Sequence, residues 1–327
     1  MCGICGFSGP PDSERLAAML RLLEHRGPDA EGVHETAIAS VGARRLAIID
    51  VHGGRQPALN EDGTIAAVLN GEIYNHRELR LLLQRRGHEL TAESDTAVLP
   101  HLYEEFGPAF TTMLEGMFAV AICDERNERL VLARDRAGEK PLLWSRTSQG
   151  VVFASELQAL TRGAALRQEI DPLSLRLYLA LQYVPGPRTI FSGVEKLAAG
   201  HRLVAERGTV SIERWWELPH PDSAYFESFA GAAEELRDLL GRAVEAQRQA
   251  DVPVGALLSG GIDSAGIVAL LARGRSGAVR TFTVGFQDRR LDERPAARAI
   301  ARVLGTRHTE VESSLPSVDE LRMIIRR

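Results

Sequence analysis

With 327 residues, 44% hydrophobic and 25% charged, the chain has the make-up of a soluble globular protein and the length for two domains. Its formal net charge of −5 gives no basic footprint for nucleic acid, and no apolar run approaches the roughly 18 residues that span a bilayer. Cys2, Cys5 and Cys123 are too sparse for a disulfide framework, and the first residues lack a signal peptide's basic start and apolar stretch, so the expected location is the cytoplasm.

Along the chain, Asp12 or Ser13 can cap a helix carrying Leu16, Met19, Leu20 and Leu23, which ends near His25-Arg26-Gly27. Short apolar runs at 43–51, 65–69, 117–123, 130–134 and 151–154 read as strands, with helical patterns at 76–86 and 95–105 between them. This predicts an α+β first domain over 2–170. Residues 171–224 are richer in Pro and Gly and read as a connecting region with a short hairpin, ending at Trp215-Trp216. From 225 the pattern alternates: a helix to 249, a strand over 252–258, a small-residue loop, a helix to about 273, a strand over 281–286, a helix over 292–304 and a third strand near 308–311. Such alternation implies a parallel sheet with crossover helices.

Two places carry chemistry. If Met1 is removed, Cys2 gains a free amine whose unperturbed pKa of about 7.7–8 suits a general base on the same residue as the thiol. The bland readings are a CxxC redox pair with Cys5, half a metal site that no second pair completes, or a small buried residue. Asn70-Gly71 alone is also the commonest hairpin turn, and Arg45 alone reads as a solvated strand end. The second place is Ser259-Gly260-Gly261-Ile262-Asp263-Ser264, lying between a strand and a helix. Small residues there let backbone N–H groups reach an anion at a helix N-terminus, and no Walker lysine is present.

Met1-Cys2-Gly3-Ile4, His25-Arg26-Gly27-Pro28-Asp29, Arg45-Leu46-Ala47-Ile48-Ile49-Asp50, Asn70-Gly71-Glu72-Ile73-Tyr74-Asn75 and Glu93-Ser94-Asp95 occur in order. Together they resemble the class II glutamine amidotransferases, and among them the glutamine-hydrolysing asparagine synthetases. The resemblance implies an N-terminal-nucleophile αββα sandwich followed by an incomplete α/β nucleotide-binding domain over 225–327. Cys2 would attack the glutamine amide, with the Asn70 side chain and the Gly71 N–H as oxyanion hole. Arg45 would take the α-carboxylate, Glu72 and Asp95 the ammonium, and Ile48 and Ile49 would line the pocket. Arg26 and Asp29 would shape it.

The same resemblance makes Ser259–Ser264 a pyrophosphate loop for ATP, with Leu257, Leu258 and Val284 beside the nucleotide and Asp263 on Mg²⁺–pyrophosphate. Asp292-Glu293 and His308-Thr309-Glu310 also match family positions. The implied reaction is adenylation of aspartate, then attack by ammonia, giving asparagine, AMP and pyrophosphate. Substrates would be glutamine, aspartate and ATP, with Mg²⁺, no prosthetic group and no nucleic-acid or membrane partner. A later family loop of the SGEGSDE kind does not occur by Arg327, so the synthetase half is expected to be incomplete. A homodimer and a second chain supplying the rest are both open. So are an amidotransferase acting on a secondary-metabolite or peptide acceptor, and a non-catalytic glutamine-sensing or interaction fragment.

Overall fold

The computed structural model describes residues 1–219, 228–273, 277, 279–314 and 316–326. By backbone contacts the chain divides into two units, Met1–Pro219 and His220–Arg327.

The first unit opens with β1 (Gly3–Ser8), buried along nearly its whole length. In α1 (Ser13–Arg21) the Asp12 carboxylate caps the first turn by accepting from the Arg15 N–H, and Leu16, Met19 and Leu20 form the buried stripe. A ribbon of β2 (Ala30–Glu35) and β3 (Ala39–Arg45) follows. After the short β4 (Ala58–Leu59) come the long β5 (Ile65–Ile73), α2 (His76–Arg85) and α3 (Val98–Phe106). Then β6 (Gly116–Asp124), β7 (Arg129–Arg134), β8 (Leu143–Thr147) and β9 (Gly150–Ala154) run as antiparallel neighbours in two pairs. The unit is completed by α4 (Pro172–Leu181), β10 (Val194–Lys196), β11 (His201–Glu206) and β12 (Thr209–Arg214).

The strands build two six-stranded sheets, ordered β10-β8-β9-β1-β3-β2 and β12-β11-β7-β6-β5-β4. Ile4, Val41, Val68, Ala121, Leu132 and Phe153 fill the space between them. On the outer face of the first sheet, Phe7 and Val152 pack with Leu16, Met19, Leu20 and Leu23. On the outer face of the second, Leu69, Phe118 and Val120 pack with Leu79, Leu83 and Leu99. Each layer thus buries one face of its neighbour, giving a helix–sheet–sheet–helix sandwich. Each fully buried Leu or Phe contributes about 1.5–3 kcal/mol of apolar transfer.

Two expectations change here. The run 43–51 stays in the sheet only to Arg45; residues 46–57 leave it as a loop. The expected connecting region 171–224 is more than a connector over its described part, 171–219, because β10 joins the first sheet, β11 and β12 join the second, and Trp215 stacks on Phe118 at 6.1 Å; residues 220–224 lie outside the described residues. Its Pro and Gly content marks the turns between these short strands.

The second unit begins with α5 (Phe229–Ala246), capped by Ser228 Oγ accepting from the Gly231 N–H. The beginning of the expected helix, 225–227, lies outside the described residues. The strands β13 (Gly255–Leu257), β14 (Arg280–Phe286) and β15 (Arg307–Ser313) pair in parallel in that order. They are connected through α6 (Ile262–Ala272) and α7 (Arg294–Leu304), and α8 (Val318–Arg326) follows. Leu258, Val268, Ala297 and Ala301 form its small core. Among the described residues, no helix is long and apolar enough to cross a membrane.

Candidate active site

Cys2 is buried just ahead of β1, with its Sγ accepting from the Leu46 N–H at 3.4 Å. Arg26, in the turn after α1, holds this end of the chain: its Nε donates to the Cys2 carbonyl at 2.9 Å and its Nη1 to Glu156 at 2.9 Å. Burial pushes the Cys2 thiol up from its ordinary range, with the Leu46 N–H working against it, and burial pulls the N-terminal amine down. Met1 itself is exposed, its sulfur 3.7 Å from Lys140 Nζ.

Arg45 explains why the apolar segment after it is a loop. Its Nη2 donates to the carbonyls of Ile49 and Asp50 at 2.8 Å each, and its Nη1 to that of Val51 at 3.3 Å. Three successive carbonyls turned onto one guanidinium require a curled backbone, not an extended strand. Asp29 holds the start of the loop by accepting from the Ala47 N–H at 2.9 Å. Asp50, at φ 51°, accepts from the Gly53 N–H at 2.8 Å and from the Glu93 N–H at 2.9 Å. One carboxylate therefore joins the 46–54 loop to the segment that carries Asp95. Gly54 closes the arrangement: a Cβ there would meet Arg45 Nη2 at 2.6 Å and Ser94 Cβ at 2.9 Å. Ile48 and Ile49 sit within this loop, half buried.

Asn70, Gly71 and Glu72 are not a turn but the continuation of β5, paired with Ala119, Phe118 and Met117 of β6. Gly71 has φ 148°, and a Cβ there would fall 1.9 Å from the Met117 carbonyl oxygen, so only glycine fits. Asn70 is fully buried, yet neither its amide oxygen nor its amide nitrogen has a protein partner. Leaving such a group unmade costs about 1–3 kcal/mol, a cost that a ligand meeting both atoms would remove.

Glu72 and Asp95 meet carboxyl to carboxyl. Burial and their mutual repulsion push Glu72 well above the usual carboxylate range; Asp95 is pushed up by burial, against the Ile73 N–H that it accepts at 2.9 Å. Both carboxyls act electrostatically on Cys2, and Lys140 and the N-terminal amine act on Glu72. Buried beside each other, the two carboxyls favour keeping a proton between them. With an ammonium between them both could ionise.

Within the first unit, then, the expected residues fall into two linked groups. Cys2, Glu72 and Asp95 share one electrostatic neighbourhood beside Leu46, and Arg45 with Ile48 and Ile49 forms the adjoining loop. Sequence reasoning missed Glu156, Lys140, Asp50 as the tie to Glu93, and Ser94, whose buried hydroxyl has no protein partner. Only Asp50 carried a signal, being an Asp three residues ahead of Gly53, the pattern of an Asx-type turn. Glu156 lies more than a hundred residues from Arg26, where spacing says nothing.

In the second unit the Ser259–Ser264 loop follows β13 and opens α6. Ser264 Oγ lies 2.7 Å from Ser259 Oγ and accepts the Ser259 N–H at 3.1 Å, while Ser259 Oγ accepts the Gly261 N–H at 3.1 Å. Gly260, Gly261 and Asp263 are exposed. Leu258 is buried in the small core, whereas Leu257 is 78% and Val284 46% exposed. Asp292 pairs with Arg294 at 2.7 Å and Glu310 with Arg298 at 2.7 Å, so these two carboxylates hold basic side chains of α7.

A family model described as glutamine amidotransferase domain matches residues 1–216, and one described as asparagine synthase matches 235–324. The chain is 34% identical over 334 residues to an asparagine synthetase [glutamine-hydrolyzing] 1 of Bacillus subtilis, with 99% of this chain and 52% of that protein covered. It is also 34% identical to an asparagine synthetase [glutamine-hydrolyzing] 2 of Arabidopsis thaliana, with 98% and 53% covered. The chain therefore spans about half the length of the curated relatives it matches. In structure it is similar to a glutamine phosphoribosylpyrophosphate amidotransferase from B. subtilis complexed with ADP and GMP. That match has a TM-score of 0.50 at 18% identity, covering 99% of this chain and 70% of the other, and it bears on the fold alone. The glutamine amidotransferase model, matched across two thirds of the sequence and consistent with the sandwich, places the chain in the glutamine amidotransferase domain family, and the asparagine synthase model matches a segment that follows it.

Proposed function

We propose that the first unit hydrolyses glutamine at Cys2 and that the released ammonia serves an ATP-dependent amidation begun on the second. The observation that carries this is Asn70: a fully buried carboxamide with neither polar atom partnered, one residue from a glycine that only glycine can be and two from a carboxyl that acts electrostatically on Cys2. Such a group is poised to donate to an oxyanion that exists only during reaction.

Removal of the exposed Met1 gives Cys2 its amine, which takes the thiol proton as Sγ attacks the glutamine amide carbon. The oxyanion is received by the Asn70 Nδ2 and the Gly71 N–H, the amine returns the proton to the leaving nitrogen, and ammonia departs. Water then attacks the thioester, giving glutamate and the free thiol. The Glu72–Asp95 pair binds the substrate ammonium. Arg45 holds the loop of Ile48 and Ile49 through three of its five N–H groups and offers the remainder to the α-carboxylate.

For the second unit the relatives are named asparagine synthetases, and the reading is that aspartate and ATP give an acyl-adenylate and pyrophosphate, with ammonia then displacing AMP to form asparagine. Ser259, Gly260, Gly261 and Ser264 would cradle the pyrophosphate, with Leu257, Leu258 and Val284 on the nucleotide side. The fit to Mg²⁺ rests on Asp263, an exposed carboxylate in the first turn of α6. One carboxylate plus phosphate oxygens is the donor set that this ion favours, and it would neutralise the phosphates there. No prosthetic group enters this scheme. The reaction belongs in the cytoplasm, in a homodimer or together with a second chain.

The test is glutamine-dependent ammonia release by the purified chain. Cys2→Ala should lower it by at least about a thousandfold with the unfolding temperature unchanged. Equal release from both proteins would end the catalytic reading and favour a glutamine-sensing role.

A further inference from the structure

We propose that Glu61, His88, His101 and Glu104 form a site for a divalent transition-metal ion of the Zn²⁺ class. Three segments of the first unit bring them together: the turn ahead of β5 supplies Glu61, the segment after α2 supplies His88, and α3 presents His101 and Glu104 three residues apart on one face. One ligand atom from each lies within 4.8 Å of all the others. The Glu61 carboxylate stands between the imidazoles, its Oε1 3.0 Å from His88 Nδ1 and its Oε2 3.1 Å from His101 Nδ1.

Four donors on a tetrahedron with bonds of about 2.0–2.1 Å lie about 3.4 Å apart, so the set closes on an ion by shifts of about an ångström. Two imidazole nitrogens and two carboxylates suit Zn²⁺ or Co²⁺ better than Mg²⁺ or Ca²⁺.

The surroundings have the form that orients metal ligands. Glu105 Oε1 lies 3.3 Å from the far nitrogen of His88, and Asn60 Nδ2 donates to Glu104 Oε2 at 3.0 Å. Arg126 donates to Glu104 Oε1 at 2.7 Å and is the charge that opposes a cation; it is exposed and has Asp62 as a second partner. The Asn60 side-chain oxygen also fixes the first residue of β5 by accepting the Ile65 N–H at 3.0 Å. Asn70 lies at the other end of that strand, roughly 17 Å along it, so an ion here would pin three segments together without touching the glutamine chemistry.

The experiment uses the full chain carrying Cys2→Ser, which removes the candidate nucleophilic thiol, stripped with chelator and titrated with Co²⁺ alone. The expected result is one equivalent bound, with the intense visible bands of four-coordinate Co²⁺, displaced by Zn²⁺ and accompanied by a rise in unfolding temperature. His88→Ala and Glu104→Gln, both at partly exposed positions, should each weaken binding at least about tenfold while leaving the metal-free unfolding temperature near that of the parent. Absence of a one-equivalent signal, six-coordinate spectra, or binding equal in the parent and both variants would overturn the site.

Discussion

The two units carry their candidate sites in opposite ways. In the first, Asn70, Arg45 and Asp95 are buried, and each is fixed by strand register or by a guanidinium and carboxylate tied to several backbone groups. In the second, the Ser259–Ser264 loop is exposed at its glycines and is held by local bonds between two serines, above a small apolar core of Leu258, Val268, Ala297 and Ala301 among the described residues. The difference teaches where the reactive geometry is stored. A buried site keeps unpaired polar groups aimed at a future charge, at a cost to stability, while an exposed loop keeps only its conformation and leaves the rest to its ligand.

The sharpest way to break this contrast is at Asn70. Asn70→Ala should lower kcat for ammonia release by roughly 10²–10³ while the unfolding temperature stays level or rises, because a buried, unmet amide is removed. A large drop in stability with activity retained would show that Asn70 is a structural residue. Next in size is the Glu72–Asp95 pair. Folding raises these carboxyls, so above the ordinary Glu value of 4.5 the folded state holds a proton that the unfolded chain has lost. Stability contributed by that proton is complete below this value and disappears as pH rises through the raised titration, with a slope of at most about 1.4 kcal/mol for each step in pH. Thermal unfolding followed against pH should therefore show a decline that Glu72→Gln lacks and that saturating glutamine cancels, and kcat/KM should climb over the same range. Parallel profiles for the two proteins would remove the pair from the ammonium site. Smallest is Ser264→Ala, which loses contacts to Ser259 at the surface: a stability change within about 1 kcal/mol and unaltered ammonia release. If it slowed ammonia release as much as Asn70→Ala does, the separation of the two sites would be lost.

Much of the fold was legible because its signals were local. The apolar runs of β6, β7 and β9, the helical stripe of α1 and the strand–loop–helix start of α6 all follow from periodicity and turn residues. What escaped depended on distant partners. Residues 46–51 have a strand's composition, but Arg45 gathers their carbonyls. Asn70-Gly71 has a turn's composition, but β6 extends the ladder through it. Residues 171–219 looked like a connector because strands of three to six residues separated by Gly and Pro leave no clear period. Of the candidate site, the residue types were readable, while the supports from Glu156 and Lys140 were not, since nothing near them in sequence announces a partner.

The outer hairpin of β11 and β12 has a consequence for how this polypeptide can be divided. Both sheets are finished by residues beyond 190, so a gene cut at 170 would strip one edge from each and leave β7 and β8 with open backbone ladders, ready to pair with another molecule. A self-sufficient first unit would have to keep everything through Trp215, whose ring lies against the strand opposite Gly71. Any natural or engineered fusion of this half to another protein has its junction confined to what lies after that tryptophan.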